Sequence, residues 1–308
     1  MSAGNRRRAL VTGGTGFIGR HLVARLVAAG DDVTVAVAPG ESFEGEPRVK
    51  TVPIDLRDRA SLAALGEAAP QVVFHLAGFS LVGESWKRVD ECFDLNAKGT
   101  ALVVDATKGA EAFVYASTAE VYGPQECMPL DESMRPGPVS PYAISKYAGE
   151  LSCAAEARGR GGSTRFAVLR LFNVYGPGQR PPAIVAELVR ACLAGEPLRT
   201  TKGEQTRDFV YVGDVVDAMV AAAERAGTVD GPINICSGRE LAIRDLVTTI
   251  ARLSETRGEI ALGALPYRAN ETWRVFGDGA RAKGALGWAP RVTIEEGLAR
   301  TIAAARAK

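Results

Sequence analysis

The sequence of 308 residues has little net charge and no long apolar stretch. No segment approaches the roughly 20 consecutive apolar residues that a membrane-spanning helix needs. The early apolar run Ala9–Val11 ends at once in glycines, so we expect no signal peptide. The formal net charge is +1, and such a balanced charge creates no broad field for anionic partners. We therefore expect a cytoplasmic protein with neither nucleic acid nor membrane as a partner.

Residues that bind metals or form disulfides are also scarce. The chain has only two histidines, His21 and His75, and neither has a second ligand nearby at metal-binding spacing. The cysteines are odd in number, lie far apart and form no Cys-x-x-Cys pair; they are Cys92, Cys127, Cys153, Cys192 and Cys236. We expect reduced thiols, as in cytoplasmic proteins, and no metal site.

Short apolar runs rich in β-branched residues alternate with helical patterns through the first half of the chain. This alternation predicts an α/β fold, a doubly wound parallel Rossmann sheet covered on both faces. Apolar residues from Phe17 to Val27 recur at helical spacing, and Gly30 ends this first helix. The predicted strands are Ala9–Thr12, Val33–Val37, Lys50–Pro53, Val72–Leu76, Ala112–Ala116 and Phe166–Leu171.

The composition changes near residue 176, where a run rich in glycine and proline precedes a predicted helix over Ile184–Ala194. We expect residues 1–170 to form a dinucleotide-binding domain. Residues 171–308 should form mainly a smaller, mixed α/β substrate-binding lobe. The short strand patterns Phe209–Val212 and Ile233–Ile235 fit either part, so some segments are expected to return to the first domain.

Glycines at 13, 16 and 19 stand directly after the first strand and lead into the first helix. A turn without side chains lets the backbone approach a pyrophosphate, and the helix N-terminus offers free N–H groups and a positive dipole end. The strand–turn–helix context therefore predicts a dinucleotide site at Gly13, Gly16 and Gly19.

The residues that would select between NAD and NADP are not evident. An acidic residue that holds the ribose of NAD is expected at the end of the second strand. Residues 35–40 contain neither an acid nor an arginine, and Glu41 lies several positions late. Asp55, after the third strand, is a candidate for the adenine amino group, and a helix cap explains the Asp55–Asp58 segment equally well. NAD and NADP both stay open.

Tyr142 and Lys146 lie four residues apart in a helical pattern and therefore project from one face. A neighbouring ammonium can lower the pKa of a phenol towards working pH and can also bind the nicotinamide ribose. This spacing indicates a proton-transferring tyrosine and its lysine. A solvent-facing helical pair has the same spacing.

The chain resembles the extended short-chain dehydrogenases/reductases of the NAD-dependent epimerase/dehydratase group. The resemblance runs in order through most of the chain and rests on GGTGFIG at 13–19, HLAG at 75–78, NAKGT at 96–100, STAEVYG at 117–123, SPYAISK at 140–146, RLFNVYGPG at 170–178 and RDFVYV at 207–212. It implies an enzyme that exchanges hydride between NAD or NADP and C4 of a nucleotide-activated sugar. A dimer formed through two helices of each subunit, one of them carrying Tyr142, is implied as well.

The resemblance also assigns expected roles to single residues. Thr118 matches the family's catalytic hydroxyl, Tyr142 the proton-transferring tyrosine and Lys146 its partner. For the substrate diphosphate it implies Asn173, Arg207 and Arg268, since guanidinium groups bind phosphates with paired charged hydrogen bonds. The expected cofactor contacts, beyond the three glycines, are Phe17, Ile18, Asp55, Leu56, Leu76, Ala77, Tyr142 and Lys146.

Glu120 leaves the overall reaction open. The family's 4-epimerases usually carry a small or neutral residue here, whereas its 4,6-dehydratases use a glutamate to remove the C5 proton. The dTDP-sugar dehydratases pair that glutamate with a preceding aspartate, and this chain has Ala119. The GDP-4-keto-6-deoxymannose reductases also carry the glutamate, and segments 79–86, 234–238 and 268–271 resemble them. Segment 203–209 is more similar to enzymes of UDP- and dTDP-sugars.

Epimerase or 4-ketoreductase is therefore the main interpretation, and dehydratase with Glu120 as a catalytic base is the alternative. A hypothesis of another class is a non-catalytic NAD(P)-binding sensor. The joint presence of Thr118, Tyr142 and Lys146 disfavours it.

Overall fold

The computed structural model describes residues 6–159, 164–227, 230–267 and 271–307. Within these ranges the strands are β1 (Arg8–Thr12), β2 (Asp32–Val37), β3 (Lys50–Pro53), β4 (Val72–His75), β5 (Ala112–Thr118), β6 (Arg165–Leu171), β7 (Asn173–Tyr175), β8 (Leu198–Thr200), β9 (Thr206–Arg207), β10 (Phe209–Tyr211), β11 (Pro232–Ile235), β12 (Leu241–Ala242), β13 (Ile260–Leu262) and β14 (Arg274–Val275). The helices are α1 (Phe17–Ala29), α2 (Arg59–Glu67), α3 (Val82–Ser85), α4 (Val89–Phe93), α5 (Thr100–Ala106), α6 (Pro141–Arg158), α7 (Ile184–Ala194), α8 (Val212–Glu224), α9 (Ile243–Ser254), α10 (Ala280–Leu286) and α11 (Ile294–Arg306). A π-helical turn spans Asp94–Gly99 and a 3₁₀ turn spans Ala119–Tyr122.

A seven-stranded parallel sheet forms the centre of the structure, in the order β11-β6-β5-β4-β1-β2-β3. β1 lies between β2 and β4, so the chain winds outward from β1 in both directions. The carboxyl ends of β1 and β4 therefore border a crevice where ligands of such sheets bind. The predicted doubly wound Rossmann sheet is confirmed, and each of its six predicted strands is present.

Side chains of β1 alternate between the two faces of the sheet. Val11 packs with α1 and α8 on one face, and Leu10 packs with α2, α5 and α6 on the other. Both side chains are fully buried, and burying each of them contributes about 1.5–3 kcal/mol relative to exposure. Continuous apolar strands are expected in a sheet that is covered on both faces.

A second hydrophobic core lies among α7, α9 and α11. Small sheets surround it: β10 pairs with β7, β13 with β8, and β9 with both β12 and β14. The pairing of β12 with β9 is antiparallel and the others are parallel, so this lobe is mixed, as predicted. The two strand patterns that fitted either part of the chain, Phe209–Val212 and Ile233–Ile235, fall in different parts. The first becomes β10 and pairs with β7 in the smaller lobe, whereas the second becomes β11 and joins the edge of the large sheet.

The helix boundaries predicted for α1 and α7 agree with the structure. α1 ends where Gly30 adopts the left-handed conformation, with φ at 91°, and α7 covers Ile184–Ala194. No helix in the described part of the chain is both long and apolar enough to cross a membrane.

Candidate active site

The glycine-rich turn has the geometry of an anion site. Gly13 has φ at +71°, and a Cβ there would lie 2.6 Å from the backbone nitrogen of Ala77. Gly16 precedes α1 without a side-chain cap, and the first turn of α1 contains no acidic residue. The first N–H groups of the helix therefore remain available to a phosphate. This cradle, which a side chain would fill, fits the pyrophosphate of a dinucleotide.

The turn after β4, which holds Leu76 and Ala77, is fixed beside this cradle. The backbone nitrogen of Ala77 donates to Oγ1 of Thr12, 3.2 Å away, and Thr12 also contacts Nδ1 of His75 at 2.7 Å. The other ring nitrogen of His75 lies 3.0 Å from Oγ1 of Thr100. Burial, with a smaller effect of Lys146, lowers the pKa of His75 to about 3. A neutral imidazole thus links the end of β1 to the start of α5.

The other predicted cofactor residues follow β1 and β3, whose carboxyl ends lie on the same edge of the parallel sheet. Phe17 and Ile18 are half-buried at the start of α1. The carboxylate of Asp55 is occupied by Arg57, whose hydrogen bonds lower the pKa of Asp55 to about 2. The cap of α2 is Asp58 rather than Asp55. The side chain of Leu56 is buried in the core, so any cofactor contact at Leu56 must come from its backbone.

Glu41 is nearer to the glycine-rich turn than its position in the sequence indicates. Oγ1 of Thr15, within the turn, donates to Oε2 of Glu41 at 2.9 Å. The loop after β2 therefore folds back and brings a carboxylate beside the dinucleotide cradle. Carboxylates at this place in Rossmann folds accept the ribose hydroxyls of NAD.

Thr118 and Tyr142 meet at the carboxyl end of β5. Thr118 ends β5, and Ser140 caps α6 by accepting from the backbone nitrogen of Ala143. The cap places Tyr142 in the first turn of α6, where its hydroxyl and that of Thr118 are close enough to interact. Burial raises the pKa of Tyr142 to about 12, and the nearby hydroxyl of Thr118 offsets part of the rise.

Lys146 lies one turn after Tyr142, and its side chain is only 5% exposed. This excludes the alternative of a solvent-facing pair. The expectation that Lys146 lowers the pKa of Tyr142 is wrong in this structure. The ammonium instead lies 4.3 Å from the ring centre of Tyr115. Burial lowers the pKa of Lys146 to about 8, opposed chiefly by the negative charge of Glu150.

Glu120 lies in the same cleft, next to Tyr142. Its side chain reaches solvent, yet enough protein surrounds it that desolvation raises its pKa, while the nearby Arg207 opposes the rise. The charge of Glu120 in turn contributes to the raised pKa of Tyr142. A carboxyl group with a raised pKa beside a tyrosine can exchange protons with a bound substrate.

Arg207 lies on β9, and Asn173 begins β7, which pairs with the next strand in sequence, β10. The guanidinium of Arg207 forms an ion pair with Glu271 at 3.0 Å and donates to the carbonyl of Thr272 at 2.7 Å. The side chain of Asn173 donates to the carbonyl of Asp208 at 3.1 Å. Arg268, the third predicted diphosphate contact, lies outside the described residues.

Asn96 and Asp208, which were not predicted from the sequence, hold loops of the candidate site in place. Asn96, in the π-helical turn, bonds the backbone of Phe79 on one side and Oγ of Ser145 on the other. It thereby joins the turn after β4 to α6, next to Tyr142. Asn96 begins the NAKGT segment at 96–100, and this motif was the signal that could have identified it. Asp208 is fully buried and accepts from the backbone nitrogens of Ser237, Gly238 and Gly277.

The fold and this cleft define a dinucleotide-dependent enzyme, and comparison with known proteins identifies its family. Residues 9–236 match the model of the NAD dependent epimerase/dehydratase family. The chain is 32% identical to GDP-6-deoxy-D-mannose reductase of Pseudomonas aeruginosa, over 95% of each chain. It is 36% identical to UDP-glucose 4-epimerase of Mycolicibacterium smegmatis, over 96% of this chain and 97% of the relative.

A solved structure agrees with these relatives. UDP-glucose 4-epimerase of Thermotoga maritima, determined with UDP-glucose, superposes with a TM-score of 0.91 at 31% identity, covering 97% of this chain and 99% of that one. The chain belongs to the NAD-dependent epimerase/dehydratase family. It is an enzyme, and its cofactor is NAD.

Proposed function

We propose that the protein is a nucleotide-sugar 4-epimerase that exchanges hydride with NAD at C4 of a UDP-hexose. The observation that carries the proposal is the approach of the Thr118 and Tyr142 hydroxyls to each other, one turn before the buried Lys146. When bound, NAD supplies a nicotinamide that accepts a hydride from the sugar carbon and returns it. The names of the relatives from Mycolicibacterium smegmatis and Thermotoga maritima support UDP-glucose as the first substrate to test.

In this proposal each residue has one task. Thr118 orients the C4 oxygen of the sugar, and Tyr142 moves the proton of that oxygen. Lys146 binds the nicotinamide ribose, and Arg207 and Asn173 bind the diphosphate. Residues 1–170 bind the dinucleotide, and Glu41 contacts its ribose. Residues 171–308 mainly bind the substrate.

A second candidate is 4,6-dehydration, favoured by the placement of Glu120 beside Tyr142 with a raised pKa. Elimination needs a base for the C5 proton, which becomes acidic next to a C4 ketone. Net 4-ketoreduction has the support of the relative from Pseudomonas aeruginosa. Glu120→Gln distinguishes dehydration from epimerisation, because the variant should lose dehydration whereas epimerisation should continue.

The test is incubation with UDP-, dTDP- and GDP-hexoses and their 4-keto-6-deoxy forms, with NADH or NADPH supplied as the hydride donor for the keto sugars, followed by mass and stereochemical analysis. A new stereoisomer of unchanged mass supports epimerisation, loss of water shows dehydration, and a gain of two hydrogens shows reduction. Tyr142→Phe should lower turnover by about 10²- to 10⁴-fold. Tyr147→Phe, on the same helix, is the control. Bound NAD without turnover, and no effect of Tyr142→Phe, would instead favour a sensor protein.

We also propose that the protein is a cytoplasmic homodimer. Ile144 and Leu151 lie seven residues apart on one face of α6, with 42% and 53% of their surfaces exposed. A groove of about 660 Å³ lies among α2, α5 and α6. A second copy would cover these apolar side chains, as in isologous dimers. Leu151→Glu should convert a dimer to a monomer in light scattering, whereas an unchanged mass would contradict this interface.

A further inference from the structure

The ammonium of Lys146 is buried without a carboxylate against it. In the described part of the chain, no Asp or Glu oxygen lies within ion-pair distance of its Nζ. Glu150, one turn later on α6, is bonded to Arg170 and to Oγ of Ser117 instead. Burial of a charged group is costly unless a partner offsets the lost hydration, so the ammonium needs another source of stabilisation.

The aromatic ring of Tyr115, on β5, is in a position to provide it. Nζ of Lys146 lies 4.3 Å from the centre of this ring. The hydroxyl of Tyr115 also donates to the backbone carbonyl of Lys146 at 3.2 Å. The face of an aromatic ring carries partial negative charge and attracts a cation within about 6 Å, most strongly where water is excluded. Tyr115 therefore contacts Lys146 through both its ring and its hydroxyl.

Neighbouring elements fix the ring of Tyr115 in this place. Tyr115 pairs in register with His75 on β4, and the two rings stack with centroids 5.7 Å apart. Burial keeps the pKa of His75 far below neutrality, so its imidazole is no second cation for the ring. On the side of α6, a Cβ at Gly149 would lie 2.2 Å from the hydroxyl of Tyr115. The glycine thus allows the helix to approach β5 closely.

Stabilisation by a ring face has a different chemical consequence from an ion pair. A lysine ammonium has three N–H donors and no acceptor. A carboxylate would engage these donors in strong charged hydrogen bonds, whereas a ring attracts the charge through its quadrupole. The ring therefore favours the charged form of Lys146 and leaves N–H groups available for the hydroxyls of a ribose.

We propose that Tyr115 is a positioning residue, whose ring face keeps Lys146 charged and available to the nicotinamide ribose of NAD. The proposal rests on the role given to Lys146 in the proposed function. Other titratable groups also face this ammonium from the elements packed around it, and the experiment leaves them unchanged; they are His75 on β4, Cys92 on α4, and Glu150 and Cys153 on α6.

The experiment changes the electrons of the ring while keeping its shape. Tyr115→Phe removes the hydroxyl and should leave the pKa of Lys146 near its value of about 8, because the ring face remains. With 3,4,5-trifluorophenylalanine at position 115, fluorine withdraws electrons from that face. The pKa of Lys146 should then fall to roughly 7, and 4-fluorophenylalanine should give an intermediate value.

The pKa is measured on the full-length chain by NMR titration of lysine labelled with ¹³C at Cε. The signal of Lys146 is the one that Lys146→Arg removes. Phe113 supplies the matched control, because it lies on the same face of β5 and its ring packs against that of Phe166. Trifluorophenylalanine at position 113 should leave the pKa of Lys146 unchanged. An equal fall from both positions, or no fall from position 115, would overturn the proposal.

Binding of NAD gives a second readout that needs no sugar. If only charged Lys146 binds the ribose, the dissociation constant rises as the charged fraction falls. A pKa of roughly 7 in place of about 8 reduces the charged fraction at pH 7.5 from about three quarters to about one quarter. Calorimetry should therefore show affinity about threefold weaker for the trifluorinated chain at pH 7.5, and equal affinities at pH 6.

The role of Tyr115 and the proposed function can fail separately. A pKa of Lys146 that follows fluorination, in a chain that converts no nucleotide sugar, would refute the proposed function alone. Sugar conversion together with a pKa that fluorination leaves unchanged would refute the role of Tyr115 alone.

Discussion

Removing Arg170 should destabilise the protein strongly, because it leaves the carboxylate of Glu150 buried without its counter-ion. The two side chains are 3% and 7% exposed and form paired hydrogen bonds of 2.8 and 3.0 Å. In Arg170→Met, Glu150 loses both hydrogen bonds from the guanidinium and keeps the one from Oγ of Ser117. Breaking one side of a buried ion pair costs about 3–5 kcal/mol, a large part of the roughly 5–15 kcal/mol that stabilises a typical domain.

The assay is urea unfolding followed by circular dichroism, with the free energy of unfolding taken from the linear extrapolation. The double variant Glu150→Leu, Arg170→Met should recover most of the loss, because apolar side chains of similar volume often replace a buried ion pair without penalty. Arg190→Met breaks an exposed pair with Glu196 that has the same paired geometry. This control should change stability little, since solvent screens exposed charges.

The double variant also separates stability from activity. Glu150 raises the pKa of Lys146 against the effect of burial. Without that carboxylate the pKa of Lys146 should fall below about 8, so the loss of activity at alkaline pH should move to lower pH. The reasoning is refuted if Arg170→Met unfolds like the wild type, or if the double variant is as unstable as the single one.

Three further predictions concern the cofactor side. Between pH 6.5 and about 3 the unfolded chain protonates His75 whereas the folded chain does not, so the free energy of unfolding falls as pH falls. His75→Gln should make this dependence on pH shallower by up to about 1.4 kcal/mol per pH unit. The same pH dependence of urea unfolding in the variant and the wild type would contradict this prediction. Gly19→Ala places a Cβ against the carbonyl of Gly13 and should weaken NAD binding about tenfold or more; Gly284→Ala, in open space within α10, is the calorimetric control. Glu41→Ala should reduce the preference for NAD over NADP roughly tenfold, and an unchanged ratio of dissociation constants would exclude the ribose contact.

Local signals in the sequence were sufficient for the large sheet and for the glycine-rich turn. The buried strands of the large sheet are short runs of mostly apolar residues. The turn needs glycine because of a positive φ at Gly13 and a close approach to Ala77. Both requirements act over a few residues and are therefore visible in the sequence. The placement of Thr118 and Tyr142 in one site followed from the family motifs, whose order along the chain matches known proteins.

The tertiary structure alone decided which distant groups meet. Glu41 reaches the glycine-rich turn through Thr15, and Lys146 faces Tyr115 and Glu150, so the pKa of Tyr142 rises where the spacing predicted a fall. The periodicity of a segment fixes its own apolar face, whereas the partners of a charged or aromatic side chain depend on how segments far apart in the chain pack. Desolvation, which sets these pKa values, likewise exists only after that packing.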